Sequence, residues 1–192
     1  MSLDENNTIK KKKSQIMPKK GLVINLIGGP GSGKSTTMAG VFYKLKKNGV
    51  NCEIATEFTK EKVWEEDYRM LDDQLYIIAK QFHRISRLIG KVDVVIMDTS
   101  LLSSVIYDKS GSKNLKGLCI ECFNQFDNMV FFIDRSDIKY HTEGRVESQE
   151  KAKEIDESYK KLMEENNIPY TVVTNENCVD VIFRQLKEKG YI

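Results

Sequence analysis

The chain has 192 residues, of which 40% are hydrophobic and 30% charged. That suffices for one globular domain with a real core, is too little for two full enzyme domains, and excludes a disordered or fibrous chain. No apolar stretch approaches the roughly 20 residues of a membrane span, and the N-terminus lacks the apolar run of a secretory signal. The net charge of +2 hides a split. Residues 1–20 hold Lys10, Lys11, Lys12, Lys13, Lys19 and Lys20 against Asp4 and Glu5, whereas the other 172 residues carry 24 basic and 26 acidic side chains. A basic leader over residues 1–20 is expected to precede one domain over residues 21–192. The leader reads either as a solvated, disordered segment or as a polyanion-binding arm or nuclear-type address.

Residues 21–27 (GLVINLI) read as a buried strand that runs into a glycine-rich turn. A helix follows with Met38, Val41, Phe42 and Leu45 inward, ending near Asn48-Gly49. Residues 50–55 form a short second strand, and residues 57–69 a charged loop with a helical turn. Residues 70–89 give the strongest helix signal: Leu71, Leu75, Ile78, Phe82, Ile85 and Ile89 recur at spacings of four and three, on one stripe. Residues 92–98 form a third strand, apolar enough to be covered on both faces. Two short helical pieces are expected near residues 100–107 and 115–126, and a fourth strand at residues 129–133. Residues 134–149 are polar and lack periodicity. Residues 150–166 form a charged helix with Ile155, Tyr159 and Leu162 inward. A fifth strand at residues 169–173 and a closing helix at residues 176–189, with Val179, Ile182, Phe183 and Leu186 inward, complete the chain. Strands alternating with helices predict an α/β chain: a three-layer P-loop NTPase fold, a five-stranded mainly parallel sheet with helices on both faces.

Four cysteines are present, Cys52, Cys119, Cys122 and Cys178. Cys119-x-x-Cys122 is compatible with zinc or redox chemistry, but no second such pair accompanies it and the only histidines are His83 and His141. Buried free thiols in a reducing, cytoplasmic compartment are the expectation.

Gly28-Gly29-Pro30-Gly31-Ser32-Gly33-Lys34-Ser35-Thr36 contains the full Walker A pattern, with a strand before it and a helix after it. The glycines let successive amides turn inward onto phosphate oxygens, and the helix adds its positive end. Lys34 is placed to reach the β- and γ-phosphates, and the Ser35 hydroxyl to bind Mg²⁺. The cofactors expected are therefore ATP and Mg²⁺. Four apolar residues before Asp98 have the Walker B form, which sets a carboxylate beside Mg²⁺; the other reading is an aspartate capping the next helix. A GTPase is disfavoured, because the late strand leads into Thr174-Asn175-Glu176-Asn177 and not into Asn-Lys-x-Asp. The chain is also short for a motor or AAA+ ATPase with its trailing arginine-bearing domain.

Phosphoryl transfer to a small molecule needs an acceptor base, an acceptor pocket and cations on the transferring group. Glu57, directly after the second strand, is the candidate base, or a surface glutamate. Gln74 and Gln81 lie seven residues apart on one helical side with Arg84 one turn on; they suit reading a nucleobase edge, or are ordinary polar flanks. Arg135, Lys139 and Arg145 surround Gly144 in residues 134–149, which suits a lid over the phosphates or a solvated loop. Lys34, Glu57, Asp98, Arg135 and Arg145 are thus the candidate catalytic residues.

The phosphate loop, Glu57, Asp98-Thr99-Ser100 and Gly144-Arg145 followed by a helix (Ala152, Ile155, Asp156) resemble phage-type AAA-domain P-loop proteins, similar in layout to nucleoside and nucleoside-monophosphate kinases. The resemblance covers residues 21–188. In deoxynucleoside kinases the acid after the second strand is the acceptor base, which by resemblance falls on Glu57. Their Glu-Arg-Ser motif is replaced here by Asp98-Thr99-Ser100, so Arg135 or Arg145 would supply the missing charge. Three functions remain open: an ATP-dependent kinase for a nucleoside or nucleotide, a polynucleotide 5′-kinase using the lysine leader on nucleic acid, and a non-catalytic ATP-binding module. The expected partners are ATP and a small-molecule acceptor, with no membrane, in a monomer or homodimer.

Overall fold

Five of the six residues Leu22–Ile27 are apolar and all six are buried, and they form the central strand β1. The computed structural model describes residues 21–135 and 148–192. After β1 come α1 (Lys34–Lys47), β2 (Cys52–Ala55), α2 (Phe58–Trp64), a 3₁₀ turn (Tyr68–Asp72), α3 (Gln74–Ser86), β3 (Val94–Met97), α4 (Ser103–Tyr107), α5 (Lys113–Asn124), β4 (Asp127–Asp134), α6 (Gln149–Glu165), β5 (Thr171–Thr174) and α7 (Cys178–Glu188). The strands lie in the order β2-β3-β1-β4-β5 and every pairing is parallel. The register sets Leu22 opposite Val94 on one side and Asp127 on the other.

Alternation along β1 divides the core. Val23 and Ile27 face a layer built from α3, α5 and α6, with Ile78, Ile85, Phe123, Ile155 and Leu162. Leu22, Ile24 and Leu26 face α1 and α7, with Val41, Leu45, Ile182 and Leu186. The three layers are therefore helices, sheet and helices, as expected for strands buried on both faces. Asn25 is the polar exception in β1. Its Nδ2 donates to the Val23 carbonyl (3.2 Å) and to Asn128 Oδ1 (2.9 Å), so its burial leaves no donor orphaned.

Two helical segments differ from the sequence expectation. Residues 58–64 fold into α2 where a loop with a helical turn is predicted. The helix predicted over residues 70–89 is α3, and it starts at Gln74 because the Asp73 carboxylate caps it by accepting from the Tyr76 amide at 3.0 Å. The buried stripe is then Gln74, Ile77, Ile78, Gln81 and Ile85. Leu71 falls in the 3₁₀ turn and Ile89 beyond the helix, and Leu75, predicted inward, is 61% exposed.

All four cysteines are free, and burial pushes the Cys119 thiol up to about 12. No group of three His, Cys, Asp or Glu side chains able to hold a metal occurs among the described residues, and no described helix is long and apolar enough to cross a membrane. The leader lies outside the described residues. The parallel strands bring the phosphate loop after β1, Glu57 after β2, Asp98 after β3 and Arg135 after β4 to the same carboxyl edge of the sheet, which is where open parallel sheets bind ligands.

The buried stripe of α3 makes a direct prediction. Ile78→Ala should cost about 2–5 kcal/mol, whereas Leu75→Ala should stay within about 0.5 kcal/mol. Urea unfolding of the two variants measures both.

Candidate functional site

The phosphate loop leaves β1 at Ile27 and turns on residues with positive φ: Gly28 (152°), Gly31 (82°) and Gly33 (91°), the last immediately before α1. Gly28 has a second reason to lack a side chain, since a Cβ there would meet Ser32 Oγ at 2.7 Å. Lys34 Nζ folds back over the loop and donates to the carbonyls of Gly28 (2.7 Å) and Gly29 (2.9 Å). Burial holds the Lys34 ammonium below its ordinary value, against the opposing pull of Glu57, Asp98 and Asp156. A desolvated cation in a glycine-rich turn that leads into a helix N-terminus is suited to phosphate.

Ser35 Oγ donates to Asp98 Oδ2 at 2.9 Å, joining the first turn of α1 to the end of β3. Asp98 Oδ1 is buried with no hydrogen-bond partner, as is Ser32 Oγ. Unpartnered buried polar atoms are rare and call for an explanation. Here both belong to the phosphate site, and a hydroxyl beside a carboxylate is a donor set of the kind that takes Mg²⁺. Asp98 is thus tied to the phosphate loop and does not cap α4, whose N-terminus has no side-chain cap.

Arg135, expected as one of the cations that a lid brings to the phosphates, is bonded to α6 and to the outside of the loop. Its Nε donates to Asp156 Oδ2 (2.5 Å), its Nη1 to the Pro30 carbonyl (2.8 Å) and its Nη2 to the Ala152 carbonyl (3.4 Å). The other Asp156 oxygen accepts from the Gly29 amide at 2.6 Å. The guanidinium grips the outside of the loop, where a buried carboxylate compensates its charge. Arg145 and Lys139 lie outside the described residues, as does most of the predicted lid.

Glu57 occupies the N-cap position of α2 without a side-chain cap bond, and its Oε1 accepts from the Thr59 hydroxyl. Burial pushes its carboxyl above the ordinary value, and the Lys34 charge and the Thr59 bond oppose that rise. The β2–α2 connection that carries it is clamped from α3. Gln81 Oε1 accepts from the Phe58 amide, its Nε2 donates to the Thr56 carbonyl (both 3.2 Å), and Arg84 donates to the Thr56 carbonyl (3.0 Å), the Thr56 hydroxyl (2.9 Å) and Glu61 (2.8 Å). Of the three residues expected to suit reading a base, Gln81 and Arg84 therefore hold the peptides on either side of Glu57. Gln74 is also tied to its own chain, donating to the Leu71 carbonyl at 2.7 Å.

One cavity of about 650 Å³ joins these parts. The phosphate loop with Lys34, Ser35 and Thr36 forms one end, and Glu57, Gln74 and Gln81 stand along it. Its far wall includes the aromatic side chains Trp64, Tyr68 and Tyr107. Its floor is rich in hydroxyls: Tyr159 donates to Ser103 (2.8 Å), which in turn bonds Thr99 (2.9 Å). The volume falls within the range of ligand sites. Sequence reasoning names Asp156 and Thr99 only as carriers of the resemblance and gives them no role, and it misses Thr59 and the rest of this wall and floor. Asp156 had a signal, since an acid on the inward stripe of a helix with Ala152, Ile155 and Tyr159 demands a partner. The floor had none, because serines and threonines of short helical pieces have no period that aims them at a ligand.

The family model described as an AAA domain matches residues 23–179. No curated protein matches the sequence. Among solved structures the chain is similar to the NadR protein in complex with NR, at 17% identity and a TM-score of 0.67 over 86% of this chain and 51% of that one. It is similar to the thymidylate kinase of Ehrlichia chaffeensis, at 17% identity and a TM-score of 0.61 over 86% and 99% of the two chains. A third likeness is to the deoxyadenosine kinase of M. mycoides with bound dCTP, at 19% identity and a TM-score of 0.54 over 86% and 99%. This chain spans about half the length of the NadR chain. At such identities the likeness shows the fold, one shared with P-loop kinases.

The α3 clamp predicts that Gln81→Leu leaves the Phe58 amide and one bond to the Thr56 carbonyl unmade. The expected loss is about 1–3 kcal/mol, read as a lower urea midpoint at unchanged slope.

Proposed function

This chain belongs to the AAA-domain family, and from that premise we propose that it is an ATP-dependent small-molecule kinase that moves a γ-phosphoryl group onto a nucleoside or nucleotide. The observation that carries this reading is the single cavity lined at one end by the phosphate loop and beyond it by Glu57 and the walls of α2, α3 and α4. A pure nucleotide binder has no need of a cavity that extends so far beyond the phosphate loop. The kinase neighbours, thymidylate kinase and deoxyadenosine kinase, support it at the level of fold.

In the proposed reaction the loop amides and Lys34 hold the triphosphate, and Ser35 with Asp98 holds Mg²⁺. Bound there, the metal neutralises charge on the phosphate oxygens. Glu57 accepts the proton of an acceptor hydroxyl as its oxygen attacks in line. That role favours a nucleoside over a monophosphate acceptor, since a phosphate oxygen is already deprotonated near neutral pH and a carboxylate beside it repels it. Trp64, Tyr68 and Tyr107 line the cavity, and aromatic side chains of this kind suit a flat ring.

Incubation with Mg-ATP and a panel of nucleosides, nucleoside monophosphates and 5′-hydroxyl oligonucleotides tests the proposal. The expected result is ADP formed one-for-one with a phosphorylated nucleoside or nucleotide. Transfer confined to oligonucleotides, or no transfer to any acceptor, would overturn it. Lys34→Ala should lower turnover by about 10²–10³, the size of a lost charge-stabilising group.

The pH profile of kcat/KM follows from the two shifted groups. Glu57 works deprotonated, so activity rises with pH along a limb whose midpoint lies above the ordinary glutamate value. Lys34 works protonated, so activity falls again on an alkaline limb whose midpoint lies below the ordinary lysine value. Glu57→Gln should remove the acid limb and most of the rate. An unchanged acid limb in that variant would remove Glu57 from its role.

A further inference from the structure

Gly29 is constrained in a way that neither the Walker pattern nor its own torsion explains. The pattern leaves its position free, and the loop glycines with positive φ are Gly28, Gly31 and Gly33. What forbids a side chain at 29 is α6. A Cβ there would lie 2.4 Å from the Ala152 carbonyl oxygen and 2.6 Å from Arg135 Nη2. The loop is tied at two consecutive residues, through the Gly29 amide to Asp156 and through the Pro30 carbonyl to Arg135. Asp156 and Arg135 are themselves bonded, with side chains only 10% and 11% exposed.

We propose that Asp156 and Arg135 act as one positioning unit for nucleotide binding. They fix the Gly29–Pro30 backbone so that the loop amides already converge before the triphosphate arrives, and they do so without touching it. A turn with glycines at 28, 29, 31 and 33 has much conformational freedom to lose. Without the pair, that ordering would fall on nucleotide binding and weaken it. With the pair in place, it is settled on folding. Gly29 is then the complement of the unit, the one residue type that lets α6 approach the loop closely enough to hold it. The inference rests on the nucleotide-binding part of the proposed function and not on the acceptor.

The test is ADP binding to the full chain by calorimetry in Mg²⁺, with thermal unfolding followed separately. Asp156→Asn keeps the shape and removes the charge facing Arg135. Arg135→Lys keeps the charge and loses the planar fork that reaches both Pro30 and Ala152. Each should raise the ADP Kd about tenfold or more in folded protein, and the double variant should be no more than about twofold worse than the weaker single, as for residues acting as one unit. The KM of a phosphorylated acceptor should stay within about twofold, a split that general loosening of the fold would not produce. Should Asp156→Asn not fold, Gly29→Ala strains the same contact from the loop side with both charges intact, and should raise the Kd likewise. A Kd within twofold of wild type in folded Asp156→Asn or Gly29→Ala, or fully additive single variants, overturns the proposal. Wild-type protein that fails to bind ADP overturns the nucleotide reading itself. Absence of any phosphorylated acceptor, with the Kd changes as expected, overturns only the kinase reading.

Discussion

A short glycine-rich turn, residues 28–33, must hold one backbone conformation at the end of the central strand of the sheet, and the rest of the site is arranged around that demand. Gly28, Gly31 and Gly33 supply the torsions. Lys34 bonds the carbonyls from inside, and Asp156 with Arg135 bonds the loop from outside. Ser35 then reaches across to Asp98. Parallel strand order makes this possible, since it sets β3 and β4 on either side of β1 and so delivers Asp98 and Arg135 to the two flanks of the turn.

The same region concentrates charge. Lys34, Glu57, Asp98, Asp156 and Arg135 act on one another in a partly desolvated pocket, where isolated charges are expensive. Two cations stand among three carboxylates. Arg135 is compensated by Asp156, whereas Glu57 and Lys34 are displaced from their ordinary protonation behaviour in opposite senses. Groups perturbed by burial and by a specific partner, in a cavity, are characteristic of functional sites. The buried orphan oxygens of Ser32 and Asp98 mark the same place. A fold optimised for stability alone would have paired or removed them.

The Glu57 end of the cavity is built differently. Its polar groups are held through backbone contacts from neighbouring elements: Gln81 and Arg84 grip residues 56–58, and Gln74 grips the 3₁₀ turn. Side chains that look from the sequence like ligand readers become the scaffold that aims Glu57. The Asp72–Lys109 ion pair, 2.6 Å between exposed side chains that both line the cavity, adds little energy.

Local pattern by itself determined the five strands, the glycine turn, the strand-end acids Glu57 and Asp98 and the layered architecture, because each follows from a period or spacing confined to a few consecutive residues. The register of α3 was only half legible. Its apolar stripe could be counted, but the Asp73 cap moved the start and turned Leu75 outward, and two glutamines took inward positions: Gln81 because backbone partners 23 and 25 residues away satisfy it, and Gln74 because the Leu71 carbonyl three residues back accepts from it. Arg135 was visible as a cation at a strand end. Whether it faced phosphate or carboxylate depended on Asp156, 21 residues on, and no local rule carries that distance. Gly29 looked like one glycine among several, and only the approach of α6 gave it a reason. Sequence specifies which groups are available and roughly at which edge they emerge. Tertiary structure decides which are neutralised, which are held, and which are left facing the cavity, because those outcomes rest on charges and carbonyls brought together from distant parts of the chain.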